Sequence, residues 1–347
     1  GVVIGDKGIT LINVLYEEVL DQLLAEIKIF SDKPIQFVMN SNWDFHNTNA
    51  NNALKAKGAT LIAHDNIQYF ANTVTQITFQ DKIILDIGTD KIIAYRSYGH
   101  SMGHINIFFE KANLMFMSDS YRDQWMTTSG PYGIEGHLRG LQSALEMTDE
   151  QTKFVPGNTS TSVYVNRAAL LKEIEIRQSF KSRVISLQEK NMSINEISQD
   201  KWIKQLFKDN YERYPEYGKD LTSSVRAVQY SIRLEKNRVR HDKMQEFVGS
   251  YQLPNKDVVE VFIEGQHLFA RSKGSFYYLL APIAQDSFEF SWYAANRIIK
   301  FIRDEELKVI GFNFNLPKND VRFGQEISLK HLKDIPLIKR INSKSIL

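Results

Sequence analysis

The chain is 347 residues long, with 43% hydrophobic and 24% charged residues, an ordinary balance for a globular protein and a length that suits one large domain with an appendage. A net charge of +2 gives no electrostatic reason to expect nucleic acid or a membrane surface as a partner, and the lack of cysteine excludes disulfides and thiolate metal sites. No apolar run approaches the roughly 18 residues that a membrane span needs. Gly1 leads directly into the strand-like Val2-Val3-Ile4, so an upstream strand or signal peptide is expected to have been removed; secreted, periplasmic and cytoplasmic locations all stay open.

Val2 to Ile4 and Gly8 to Ile12 read as two strands meeting at an Asp6-Lys7-Gly8 turn. Val14, Leu15, Val19, Leu20, Leu23, Leu24 and Ile27 recur at helical spacing. Ile35 to Met39, bounded by Pro34, is a short buried strand. It runs into the polar stretch Asn40-Ser41-Asn42-Trp43-Asp44-Phe45-His46-Asn47-Thr48. A helix from Ala50 to Lys57, stopped by Gly58, a strand from Thr60 to Ala63 and a short helix from Asp65 follow. Short strands with tight turns come next: Val74–Phe79, Lys82–Leu85, Ile92–Ser97, Ile105–Phe109 and Leu114–Met117. Helical spacing returns from Ile134 to Leu145, and Phe154-Val155-Pro156 closes as another strand end.

Residues 162–236 read as helices, one opened by the capping box Ser193-Ile194-Asn195-Glu196. Trp202, Ile203, Leu206 and Phe207 are spaced for its apolar face, where the tryptophan is expected to pack in the core. From Phe247 strands dominate again: Val258–Ile263, Leu268–Arg271, Phe276–Leu280, Phe288–Trp292, Ile298–Ile302 and Val309–Phe314. Phe288 to Trp292 alternates, so one face is buried and the other wet. The polar, basic tail from Pro317 is expected to wrap a domain or fray. The organisation expected is a first domain over residues 1–165, a helical connector over 166–240 and an antiparallel β domain with its tail over 241–347.

The polar stretch after the first buried strand resembles, without a gap, the signature loop of the metallo-β-lactamase superfamily, Asn-Thr-His-x-His-x-Asp-His-Thr. The ligand positions here hold Asn42, Asp44, His46 and Asn47. Further landmarks keep the family's order. Gly99-His100-Ser101-Met102-Gly103-His104 resembles the loop of the third metal-binding histidine, here His100. Phe116-Met117-Ser118-Asp119 resembles the strand end of the bridging aspartate, here Asp119. Val155-Pro156-Gly157-Asn158 resembles the Pro-Gly-His motif with Asn158 in place of the histidine, and Ile12-Asn13 stands where the family often has Ile-Asp. The resemblance covers about residues 1 to 165 and implies an α+β fold, a four-layer αββα sandwich. Phe247-Val248-Gly249-Ser250-Tyr251 resembles the opening of small β-barrel-like modules appended to bacterial hydrolases.

Members of that family hold two zinc ions, a bridging aspartate and a hydroxide whose pKa the metals lower. The resemblance implies Asn42, Asp44 and His100 for one ion, and His46, Asn47 and Asn158 for the other, with Asp119 available to both. Neutral amide oxygens suit harder cations and are poor zinc ligands beside imidazole, so the dinuclear centre is expected to be degraded. The favoured expectation is a pseudoenzyme without a cofactor that binds a small molecule or a protein, its site groups satisfying one another by hydrogen bonds. The alternative is a hydrolase of an ester, lactone or lactam bond using a single Zn, Mn or Fe ion on Asp44, His46, His100 and Asp119. Asn42, Asn47, His104, Trp125 and Asn158 are the expected pocket residues, with His137, Tyr121 and Tyr132 as further wall candidates.

Gly99-His100-Ser101-Met102-Gly103 also fits the G-x-S-x-G nucleophile elbow. That device needs a helix after it, whereas Ile105 to Phe109 reads as a strand, which disfavours a Ser101 hydrolase. His64 is expected to cap or pack. His241, His267 and His331 are expected at the surface, outside the first domain.

Overall fold

β1 (Val2–Ile4) and β2 (Ile9–Ile12) form the hairpin that opens the chain, closed by a hydrogen bond from Gly5 N to Gly8 O of 2.9 Å. In the computed structural model the described residues are all those of 1–347 except 70–74, 124, 127–129, 158–161, 214–220, 238, 254–255, 273–275, 291–297, 316–337 and 342–347. They fall into two compact units, Gly1–Gly130 with Ile134–Thr222, and Pro131–Gly133 with Ser223–Leu347.

In the first unit, β2 pairs parallel with β3 (Ile35–Asn40), β3 with β4 (Thr60–His64) and β4 with β5 (Ile77–Phe79), giving a sheet in the order β1-β2-β3-β4-β5. A second sheet runs in the order β10-β9-β8-β7-β6. It is built from β6 (Lys82–Asp86), β7 (Lys91–Arg96), β8 (Ile105–Phe109), β9 (Leu114–Ser118) and β10 (Lys153–Pro156). Its pairings are antiparallel except that of β9 with β10, which is parallel.

Strand periodicity explains why these sheets stack, because successive side chains point to opposite faces. Ile12, Met39 and Ile62 from the first sheet meet Ile92, Ala94, Ile105 and Ile107 from the second in one buried layer. The opposite face of the first sheet, with Ile9, Leu11, Val38 and Leu61, packs on Leu20 and Ile27 of α1 (Leu20–Phe30) and Leu54 of α3 (Asn51–Ala56). α2 (Phe45–Thr48) is a single turn between them. The outer face of the second sheet, with Met115, Met117 and Phe154, packs on Leu138 and Leu141 of α4 (Gly133–Glu146) and Leu170 and Ile174 of α5 (Arg167–Glu189). These are the four αββα layers expected. The helical spacing from Val14 resolves into a single 3-10 turn, Glu17–Val19, before α1 starts. Gly58, at φ +97°, stops the chain after α3, as only a residue without Cβ does at no cost.

α5 continues into α6 (Ile194–Ser198), which carries the expected capping box at Ser193 and Glu196, and α7 (Lys201–Asn210). Here one expectation fails. Ile203 and Phe207 are buried, but Trp202 is 45% exposed, with the Arg183 guanidinium carbon 6.0 Å from its ring centroid. One residue is 100° of helix rotation, and the faces of Ile203 and Trp202 diverge by that angle. Among the described residues no helix is long and apolar enough to cross a membrane.

The second unit holds α8 (Thr222–Lys236), α9 (His241–Gln245) and a closed barrel of eight strands. The strands are β11 (Gly249–Gln252), β12 (Val258–Glu264), β13 (His267–Ser272), β14 (Phe276–Ala284), β15 (Ser287–Phe290), β16 (Ile298–Arg303), β17 (Val309–Asn315) and β18 (Ile338–Ile341). All neighbours are antiparallel, and the barrel interior is filled by side chains, with the rings of Phe247, Tyr251, Phe288, Phe301 and Phe312 in one cluster. The tail is thus more than a wrap: β18 bridges β17 and β11 and removes both open edges. His267 is half-buried, its ring centroid 5.6 Å from that of Tyr132, rather than free at the surface. His241 is exposed, and Trp292 and His331 lie outside the described residues.

Candidate functional site

Three strand ends build the site: β2 delivers Asn13, β3 delivers Asn40 to Asn42, and β9 delivers Ser118 and Asp119. Asn13 sits at φ +59°, a left-handed conformation that asparagine tolerates. Its amide oxygen accepts from Ser41 N at 2.9 Å, and its amide nitrogen donates to Ser41 Oγ at 2.9 Å. Ser41 Oγ in turn lies 2.7 Å from Ser118 Oγ, so one hydroxyl pair joins the two sheets at this edge. Asn40 and Asn51 exchange amide hydrogen bonds of 3.2 and 2.9 Å, and Asn40 Nδ2 also donates to Asn47 O at 2.8 Å. Those buried amides give the loop over residues 41–50 its shape.

Asp119 is the centre of the arrangement and is 1% exposed. Its Oδ2 accepts from Asn42 Nδ2 at 2.9 Å and Asn47 Nδ2 at 3.1 Å, and lies 3.3 Å from His46 Nε2. Its Oδ1 accepts from Arg122 Nη2 at 2.6 Å. A carboxylate only accepts, so the amides must turn nitrogen toward it. The orientation is confirmed at the other end, where Asn42 Oδ1 accepts from Asp44 N and from Asn47 Nδ2, each at 2.8 Å. Burial opposes ionisation of Asp119. The His46 contact, the charge of His100 and the Arg122 guanidinium outweigh it and hold the carboxyl well below its usual range.

Beside this hub, Asp44 Oδ2 lies 2.9 Å from His100 Nε2. Burial works against the charge on each, but their mutual attraction lowers the pKa of Asp44 and raises that of His100. One ligand-type atom from each of Asp44, His100 and Asp119 falls within 4.8 Å of the other two. The four residues expected to converge, Asp44, His46, His100 and Asp119, are therefore brought together, with Asn42 and Asn47 between them. Asn158 lies outside the described residues. Gly157 before it donates to Tyr121 O at 2.8 Å, and a Cβ there would stand 2.6 Å from Ser118 O, so only glycine fits against this strand end.

His104 and His137 are fully buried rather than open to a pocket. His104 Nε2 lies 3.2 Å from Met117 O, and His137 Nε2 meets Ser120 O. Burial lowers the pKa of His104 to about 4 and that of His137 well below the usual value, so both are neutral rings that brace β9. Trp125 lies with its ring centroid 4.9 Å from the Arg122 guanidinium carbon, and Tyr121 is 5% exposed in the core. Tyr132 belongs to the second unit. His64 accepts from Asn66 N at 3.0 Å, a capping contact, and is 2% exposed. Ser101 is 6% exposed, its Oγ has no hydrogen-bond partner among the described residues, and the strand β8 follows it, so the elbow context is missing.

The residues that sequence reasoning missed are Arg122 and Asn51, while Asn13 and Asn40 were marked as landmarks without a bonding role. Arg122 sits three residues beyond Asp119 in irregular backbone, where no periodicity marks a partner. The signal available was chemical: a buried carboxylate without metal-binding imidazoles needs a cation.

No family model and no curated protein matches the chain. Solved structures do. The stereoselective inverting sec-alkylsulfatase Pisa1 from Pseudomonas sp. aligns at 14% identity with a TM-score of 0.53 over 65% of this chain, which spans under half, 46%, of that protein. The metallo-β-lactamase from Pontibacter korlensis aligns at 15% identity and a TM-score of 0.46, covering 51% of this chain and 85% of that one. ETHE1 from Myxococcus xanthus aligns at 14% identity and a TM-score of 0.40, covering 50% and 74%. With its two stacked sheets and outer helices the first unit has the αββα sandwich fold, and its likeness to the sec-alkylsulfatase is one of fold alone.

Proposed function

We propose that this is a metallo-β-lactamase-fold protein that does not perform two-zinc hydrolysis and instead binds a small molecule or a protein at the Asp44–Asp119 edge of the sandwich. The observation that carries the reading is that both oxygens of Asp119 are already engaged by protein donors. Its two oxygens face two amide nitrogens, one imidazole and one guanidinium, where the family's chemistry needs open lone pairs for metal. The donor set does not fit a dinuclear zinc centre. Amides stand at two of the imidazole positions, Asn42 and Asn47, and their nitrogens, not their oxygens, point inward.

The rim beside this edge carries exposed apolar side chains. Phe45 is 64% exposed, with its ring centroid 5.7 Å from that of Tyr16, and Leu15 beside it is 49% exposed. A ligand with an apolar portion suits that rim.

A second reading has one specific observation in its favour, the closeness of Asp44, His100 and Asp119, a set chemically adequate for a single Zn, Mn or Fe ion in a hydrolase of an ester, lactone or lactam. Elemental analysis of protein purified without chelator, paired with lactam and ester turnover, separates the readings. Background turnover with substoichiometric metal is expected. Two equivalents of zinc with lactam turnover overturn the proposal, and one equivalent with turnover lost on chelation favours the second reading.

A further inference from the structure

We infer that Arg122 supplies, as a fixed guanidinium, the positive charge that a metal ion would place against Asp119, and that it keeps divalent metal out of this site. The inference rests on the reading above and explains how the site dispenses with an ion. A carboxylate that is 1% exposed stays ionised only beside a cation or several hydrogen-bond donors. Arg122 Nη2 stands 2.6 Å from Oδ1, at the short end of charge-assisted hydrogen bonds, and the Arg122 side chain is itself only 10% exposed. Arginine does not deprotonate in a protein, so its charge is permanent in a way that a bound ion or a histidine is not. Trp125 stacks on it, fixing the guanidinium in place.

Both oxygens of Asp119 are thereby engaged: Oδ1 by Arg122, Oδ2 by Asn42, Asn47 and His46. A divalent ion bridging Asp44, His100 and Asp119 would have to compete with these donors and sit close to a fixed positive charge. Asn42 and Asn47 remain hydrogen-bonded to each other and to the loop when Arg122 is removed, so the arginine is the group whose loss frees a lone pair of Asp119.

The test is metal binding by Arg122→Gln against wild type, titrating zinc and manganese salts into chelator-treated protein by calorimetry and following the metal-dependent rise in melting temperature. Arg122→Gln is expected to take up one equivalent of zinc with an affinity at least about tenfold above wild type, the scale on which outer-sphere partners of a metal site act. Equal affinity in the two proteins, whether both bind or neither does, overturns the inference. Should Arg122→Gln fail to fold, Arg122→Met removes the charge while keeping an unbranched side chain to fill the space beside Trp125. A rise in zinc affinity in the same direction is expected there, and wild-type affinity overturns the inference. The Arg122→Gln, Asp119→Asn double variant should lose the gained binding. Two equivalents of zinc in the wild type sink the non-hydrolytic reading itself. A wild type and an Arg122→Gln variant that both refuse metal sink only the role of Arg122.

Discussion

Replacing Asp119 with alanine decides whether this carboxylate is a structural hub or a metal ligand, because the two roles predict opposite signs. In a metal site stripped of its ion, two nearby carboxylates repel, and removing one stabilises the protein. Here Asp119 neutralises Arg122 and accepts from Asn42 and Asn47, so its loss leaves a largely buried guanidinium and two amide donors without a partner. Removing one member of a buried pair costs about 3–5 kcal/mol. The 10% exposure of the Arg122 side chain lets water reach it in part and places the expectation near the lower end, about 3 kcal/mol. For a unit of this size that corresponds to a fall in Tm of roughly 6–12 °C. Urea unfolding in chelator, followed by tryptophan fluorescence, reads mainly the first unit, since Trp43, Trp125 and Trp202 belong to it and only Trp292 to the second. The pH dependence follows from the lowered pKa. A carboxyl depressed on folding contributes fully above about 3.9 and loses its contribution as pH falls toward the folded value, so the deficit should be constant from about pH 5 to 8. An Asp119→Ala variant as stable as wild type, or more stable, refutes the hub.

Acidification should weaken the fold through its buried neutral histidines. The pKa of His64 is lowered to about 4 by burial first and by the charge of Arg96 second. The unfolded chain therefore takes a proton below about 6.5 that the folded one refuses, and stability is lost as pH falls from there toward 4. At pH 5 this costs on the order of 2 kcal/mol, and His64→Gln should reduce the loss between pH 7 and pH 5 by that amount; an unchanged loss contradicts it. Truncation after Asn315 removes β18, leaves β11 and β17 as open edges and should produce aggregation in size-exclusion chromatography, whereas a monomeric truncation with an intact melting transition refutes closure by the tail. Trp202→Ala should change stability by less than about 1 kcal/mol, because the ring is half exposed and only edges a surface cation; a larger loss in denaturant unfolding would restore it to the core.

Local pattern in this chain determined what depends on a few consecutive residues. Alternating apolar side chains placed the strands of both sheets, because a strand buried on one face or both writes its burial into a period of two or an unbroken run. The gap-free loop from Asn40 to Thr48, with His100 and Asp119 in order behind it, marked one sandwich edge, since that topology returns several strand ends to one rim. What only the tertiary structure decided are the pairings between distant or unpatterned residues. Ile338–Ile341 closes the barrel after a long polar run, where four residues carry too little periodicity to be distinguished from a tail. The outward turn of Trp202 was set by which side of α7 faces α5, a choice that apolar spacing two residues wide leaves open. Arg122 found Asp119 through an irregular turn, and the amides of Asn42 and Asn47 turned nitrogen inward because a carboxylate was waiting. The sequence thus named the groups at the site, while their charges and donors, which depend on who faces whom, were settled only when three strand ends met.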